Sequence, residues 1–226
     1  VTVLGDTPVE PAETSTVTRN SPTTAGRADG TATGTITNDD VPAGPLTATF
    51  SVAAGADDVN EEATVLTADG GSVWVGNGSS APASFAGFRF TGVTLPPGAT
   101  ITAAQLELNA AATQWISLNY EFAAEAAASS APFSATSRPS QRPLLAPRVV
   151  HASNVQWVTG TWYALDSLTP LLQAVVNQPG WTSGNALALV LRGTGQAWAR
   201  KHAQAFEGGA AVAPRLVVSY TLPPAP

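Results

Sequence analysis

Two periodicities run along this chain. Most apolar residues recur at every second position, the spacing of a half-buried β-strand. "AGFRFTGV" sets Phe88 and Phe90 against Arg89. After a Pro-Pro-Gly turn, "TITAAQLELNA" alternates through Ile101 and Ala103, then Leu106 and Leu108. "WISLNYEFAAE" alternates through Ile116, Leu118, Tyr120 and Phe122. "LTATFSVA", "SVWVG", "ALALVLRG" and "RLVVSYT" complete a set of short strands, with turn residues at the intervals of sandwiches and barrels.

One segment follows the other period. In "SLTPLLQAVVNQPGW", Leu168, Leu171, Leu172, Val175 and Val176 fall at i, i+3, i+4, i+7 and i+8, one face of a helix. Thr169 is placed to cap it, Pro170 suits its first position, and Pro179-Gly180 stops it. The pattern predicts a single helix over an open end or edge of the sandwich. Between Ser129 and Val150 runs a long Pro/Arg/Ser segment with neither period; loops of this length in compact domains are often functional.

The pattern divides the chain. Residues 1–40 hold three Thr-rich strand candidates, "VTVLGD", "TSTVTRN" and "TATGTIT", with six acids against two arginines. Three such strands cannot build a core alone. A Pro/Gly linker spans 41–46, the main body 47–222, and a Pro-rich tail 223–226.

Composition narrows the class. The 226 residues include no Cys and no Met, which excludes disulfides, thiolate catalysis and Cys-ligated zinc. Charged residues are 12%, about half the usual share. A net charge of −6 and a single lysine, Lys201, argue against a nucleic-acid or anionic-membrane partner. No apolar run approaches the roughly 18 residues of a membrane span. The first residue is not Met, no signal segment is present, and the tail reads as a linker, so the chain is expected to be part of a longer protein.

Residues 1–40 resemble the C-terminal half of a Calx-beta domain, through "VTVLGDTPVEPAET", "TVT" and "DGTATGTITNDD". The resemblance implies a partial immunoglobulin-like sandwich and makes Asp6, Glu10, Glu13, Asp39 and Asp40 the counterparts of carboxylates that bind calcium in several members. Ser15 and Arg19 stand where that family has a core aromatic and a core leucine. The alternative for Asp39-Asp40 is a solvated strand end before the linker. The main body is similar to jelly-roll carbohydrate-binding-type modules of secreted bacterial proteins that include DNRLRE-motif modules. It is so through "FAGFRFTGVTLPPGATITAAQLEL", "SNVQWVTGTW", "LTPLLQAVVNQPGWTSGNALALVL" and "APRLVVSY". The fold expected is therefore all-β: a jelly-roll-like β-sandwich with one short α-helix, preceded by a partial Calx-beta segment.

Three groups of residues carry candidate chemistry. "GADDVNEEA" packs Asp57, Asp58, Glu61 and Glu62 into nine residues, which either form a solvated acidic loop or are neutralised by calcium. Of six tryptophans, Trp157, Trp162 and Trp181, with Tyr163, flank the long loop and the helix. They either stack on sugar rings or fill the core, and Trp74, between Val73 and Val75, is a candidate for the outer face. Arg138, Arg142 and Arg148 crowd the long loop, either to meet an acidic sugar or to anchor the loop through carbonyls and ion pairs. For catalysis, no G-x-S-x-G elbow accompanies His151 or His202, and Glu107, Glu121 and Glu207 are the carboxylates a glycosidase would draw on.

These readings lead to a non-catalytic, extracellular or cell-surface carbohydrate-binding module, with calcium as its candidate ion and a polysaccharide or cell-surface glycan as its partner. A second expectation is a structural or adhesive unit of an extracellular fibre or surface array. There the strands of residues 1–40 would add to the sheets of neighbouring copies or domains.

Overall fold

The computed structural model describes residues 11–18, 31–36 and 44–223. The chain divides into two units, Val1–Gly44 and Pro45–Pro226. In the first, β1 (Glu13–Thr18) pairs antiparallel with β2 (Thr31–Ile36) as a two-stranded sheet, and all twelve residues are exposed. "VTVLGD", Asp6, Glu10, Arg19, Asp39 and Asp40 lie outside the described residues.

The second unit is an all-β sandwich with a short helix. Its strands are β3 (Leu46–Ser51), β4 (Asp58–Glu62), β5 (Val65–Thr67), β6 (Ser72–Gly76), β7 (Ser84–Phe90), β8 (Thr100–Asn109), β9 (Leu118–Ala124), β10 (Val149–Ser153), β11 (Trp162–Ala164), β12 (Leu187–Gly193), β13 (Arg200–Gln204) and β14 (Arg215–Thr221). One sheet runs β10-β9-β12-β7-β4-β5 and the other β11-β8-β14-β3, while β13 and β6 form a ribbon. All of these pairings are antiparallel. Leu46, the last residue of the expected linker, already belongs to β3, opposite Tyr220.

The core lies where the inner faces meet. Phe88, Phe90, Tyr120, Phe122, Leu189 and Leu191 come from the six-stranded sheet. Leu106, Leu108, Leu216, Val218 and Phe50 come from the other. Each such side chain contributes about 1.5–3 kcal/mol by leaving water. In β8, Ile101 and Leu106 are both buried although five apart, which a regular strand forbids. A register shift resolves this: Ser219 opposes Ala103 while Tyr220 opposes Ile101, so Thr102 is an extra, bulged residue. The bulge puts Ala104, not Ala103, on the core face.

Helix α1 (Thr169–Asn177) buries Leu171, Leu172, Val175 and Val176, with Leu168 buried just ahead of it. It sits beside the start of β8 and against β9. The Gln173 side chain accepts from the Ile101 N–H and donates to the Ala99 carbonyl, and the Gly98 N–H donates to Val176 O. The cap position is one residue earlier than the sequence suggests. Leu168 occupies it without a side-chain cap, and Thr169 is already helical. Among the described residues no helix is long and apolar enough to cross a membrane.

The long loop is a strap across the outer face of the six-stranded sheet. Phe133 packs with Val59 and Ala188 in a second apolar cluster, and its ring lies over Gly87. A Cβ at residue 87 would meet that ring at 2.6 Å, which accounts for the glycine inside "AGFRF".

Candidate glycan-contact surface

In the acidic run "DDVNEE", Asp57 closes a 3-10 turn and Asp58–Glu62 form strand β4, an element the alternation rule does not reveal because Asp58, Asn60 and Glu61 are buried. Each carboxylate has its own surroundings. Asp57 pairs with Arg89 at 2.7 Å. Glu61, fully buried, accepts from Arg138 at 2.9 Å, from the Ser140 N–H at 2.8 Å and from its hydroxyl at 2.6 Å. Glu62 accepts from the Ser79 N–H and hydroxyl, which hold its carboxyl below the usual range. Asp58 accepts from the Phe206 N–H at 2.8 Å, while its other oxygen is buried and unpartnered. Burial, with smaller contributions from Glu207 and Asp57, pushes Asp58 up to about 8. Neighbouring strand residues point to opposite faces, so these four carboxylates are not one calcium site; among the described residues no group of three or more His, Asp or Glu is assembled around a metal position.

The arginines of the strap anchor it. Arg142 is buried and binds both Glu125 oxygens at 2.9 and 3.1 Å. Its other nitrogen reaches the carbonyls of Ala131, Pro132 and Ser137. Arg138 adds the Ala135 carbonyl to its Glu61 pair. Neither guanidinium is free to meet a sugar, because each is already committed to closing the loop. Arg148 lies at the edge of the strap, 3.8 Å from Glu121, which Arg192 approaches at 3.5 Å from the other side. These three residues flank a groove floored by Phe85, Ala123 and Val190.

The aromatic candidates divide sharply. Trp157 and Trp181 are only 2% and 3% exposed; both belong to the core, and the indole of Trp181 donates to Leu95 O at 3.0 Å. Tyr163 stacks on Trp157 at 5.1 Å, and its hydroxyl accepts the Val158 N–H at 2.8 Å. Trp162 is half-buried, and the Arg215 guanidinium covers one face at 4.1 Å, with Glu107 holding Arg215 at 2.6 Å. Trp74 is buried as well, because Asn60 clamps its backbone and Arg200 lies 5.2 Å over its ring.

The open tryptophans are two that sequence reasoning passed over. Trp115, 74% exposed, lies between β8 and β9. Trp198, 55% exposed, lies between β12 and β13. The two connections are neighbours. Gln114 pairs with both backbone groups of His202, and a Cβ on Gly195 would lie 3.3 Å from Asn119. Trp198 adopts a left-handed backbone (φ 64°), a strain of order 1–3 kcal/mol in a bulky residue. It is held there by its N–H to Gly78 O at 2.8 Å, and Arg200 backs its ring at 4.8 Å. Beside these connections is a shallow polar depression lined by Ser117, Leu118, Asn119, Ala152, Ser153 and Asn154. No sequence signal marked Trp115 as open: it heads the alternating stretch through Ile116, Leu118, Tyr120 and Phe122, of which β9 takes only Leu118 onward and leaves Ile116 exposed.

The residues considered for catalysis sit apart. His151 meets Asp166 at 2.9 Å and stacks on Tyr120, whereas His202 lies 3.5 Å from the Ser72 hydroxyl on the β6–β13 ribbon. Glu107 and Glu121 belong to different sheets. No family model matches the chain, and no curated protein matches it.

Proposed function

We propose that this chain is a non-catalytic, extracellular carbohydrate-binding module of a larger secreted or surface protein. Its contact surface is the loop end that carries Trp115 and Trp198. The observation behind this reading is the exposure of two large indoles on adjoining connections, one of them held in a strained backbone. A flat apolar ring with solvent on it suits the C–H face of a sugar ring. The hydroxyls and amides of Ser117, Asn119, Ser153 and Asn154 suit the sugar's hydroxyls. The partner on this reading is a polysaccharide or a cell-surface glycan. Affinity electrophoresis against a panel of soluble polysaccharides, followed by a glycan array, tests it. At least one polysaccharide should retard the wild-type chain. Trp115→Ala and Trp198→Ala should each weaken retention about tenfold or more with little change in melting temperature. No retardation by any glycan, or retention unchanged in both variants, refutes it.

A second reading rests on the exposed ribbon β1–β2. Thr-rich strands with open edges are suited to β-strand addition, as in a fibre or surface array. Light scattering of the full chain and of a chain lacking residues 1–44 distinguishes it. A fibre unit self-associates only with those residues present.

A further inference from the structure

The loop end that carries Trp115 and Trp198 is built from three stretches, residues 110–119, 152–165 and 193–199, and none of them contains an Asp, Glu, Lys, Arg or His. The stretches are stitched together. Gln114 and Trp157 exchange backbone hydrogen bonds, Ser153 opposes Leu118, and the Thr194 N–H donates to Asn119 O. The same unit places charge freely elsewhere: Arg89, Arg138, Arg142, Arg148 and Arg192 all meet carboxylates at the six-stranded sheet or its strap. At the loop end the open side chains are apolar instead. Beside the two indoles stand Ile116, Val155 and Val158, each 42% exposed or more. Three basic residues follow on β13, and each is already engaged. Arg200 lies over the Trp74 and Trp198 rings at 5.2 and 4.8 Å. Its countercharge is Glu62, whose carboxyl Ser79 and, to a smaller extent, Arg200 hold below the usual range. Lys201 is fully buried; its ammonium donates to Val155 O and lies 5.5 Å from the centre of the Trp157 ring. Burial, with Arg200 adding to it, pushes the His202 imidazole below its ordinary value, so it is neutral at pH 7.

We infer, resting on the carbohydrate reading above, that the ligand of this loop end is an uncharged polysaccharide, free of uronate, sulfate, phosphate and amino groups. A hydroxyl brought onto the patch exchanges water for the amides and hydroxyls of Ser117, Asn119, Ser153 and Asn154, and loses little. A carboxylate or sulfate brought to the same place loses its water against apolar side chains and finds no free guanidinium or ammonium to replace it. An ammonium group finds no carboxylate on the three stretches. The absence of charge therefore selects against both kinds of ionic sugar, while the indoles hold the C–H face that all of them share. Because no ion pair forms across the contact, added salt has nothing to screen.

Affinity electrophoresis of the full chain tests this, with neutral glucans, mannans and galactans run beside polyuronates and sulfated polysaccharides. The polymers that retard the chain should be neutral. Carboxymethylation of a retarding polymer should weaken retention about tenfold or more, while hydroxyethylation to the same degree, which adds bulk without charge, should leave it within about threefold. Retention should change less than about twofold between roughly 20 and 500 mM sodium chloride. Asn154→Arg, at an exposed position, supplies the missing cation and should restore retention by the carboxymethylated polymer in a salt-dependent way. Retention by charged polysaccharides only, falling with salt and lost in Trp115→Ala, overturns the inference and leaves the carbohydrate reading standing. A carboxymethylated polymer held as well as its parent also overturns it. No retention by any polymer, neutral or charged, removes the carbohydrate reading and this inference with it.

Discussion

Replacing Arg142 by alanine separates the anchoring role of this residue from a role in sugar contact. The guanidinium joins both oxygens of Glu125 to three backbone carbonyls and lies 4.7 Å over the Phe133 ring. Both charged side chains are about 5% exposed, so solvent screens the pair little. Removing one partner leaves the Glu125 carboxylate buried without a countercharge, which costs about 3–5 kcal/mol. The three stripped carbonyls reach water or stay unpaired, so the upper half of that range is expected. All six tryptophans lie between residues 74 and 198, so their fluorescence follows the second unit in guanidinium titrations. Arg142→Ala should lower the transition midpoint with an unchanged slope. Arg142→Met/Glu125→Leu, which removes both charges, should recover at least 2 kcal/mol of the loss. Polysaccharide retention, measured well below the unfolding midpoint, should equal that of the wild type. A stability loss below 1 kcal/mol, or a folded variant that no longer binds glycan, would refute the anchoring argument.

Two further outcomes follow from the same geometry. Asp58 titrates at about 8 in the folded chain against an ordinary 3.8. The folded state therefore binds more protons between those values, and stability should fall by about 2–5 kcal/mol as pH rises from 4 to 8, then level off. Urea titrations at a series of pH values would show this slope, and Asp58→Asn should remove most of it; an identical slope in the variant would contradict the assignment. Gly87→Ala puts a methyl where the Phe133 ring sits, 2.6 Å away. It should cost about 1–3 kcal/mol and raise hydrogen exchange across residues 130–145, while exchange elsewhere stays at the wild-type level.

The chain's own pattern was sufficient for elements with one wet face or one apolar stripe. β8, β14 and α1 lie where period-two and period-3.6 spacing predict them, because each has a single partner surface and its sequence records that asymmetry; β7 and β12, covered on their outer face by Phe133 of the strap, show instead an alternation of large with small residues. Even the bulge at Thr102 left a mark, in the five-residue step from Ile101 to Leu106. β4 was hidden because its buried Glu61 is met by an arginine from a strap 77 residues away in the chain, and the Asp57 just before it by one from β7. Only that distant pairing makes "DDVNEE" an interior strand and not an acidic loop. The same holds for the tryptophans. An indole reads alike in sequence whether it faces Leu95 or water, so the burial of Trp157 and Trp181 and the exposure of Trp115 and Trp198 were decided by packing between segments far apart in the chain. Local sequence fixes which face of an element is apolar; which residues remain at the surface depends on what the rest of the chain lays over them.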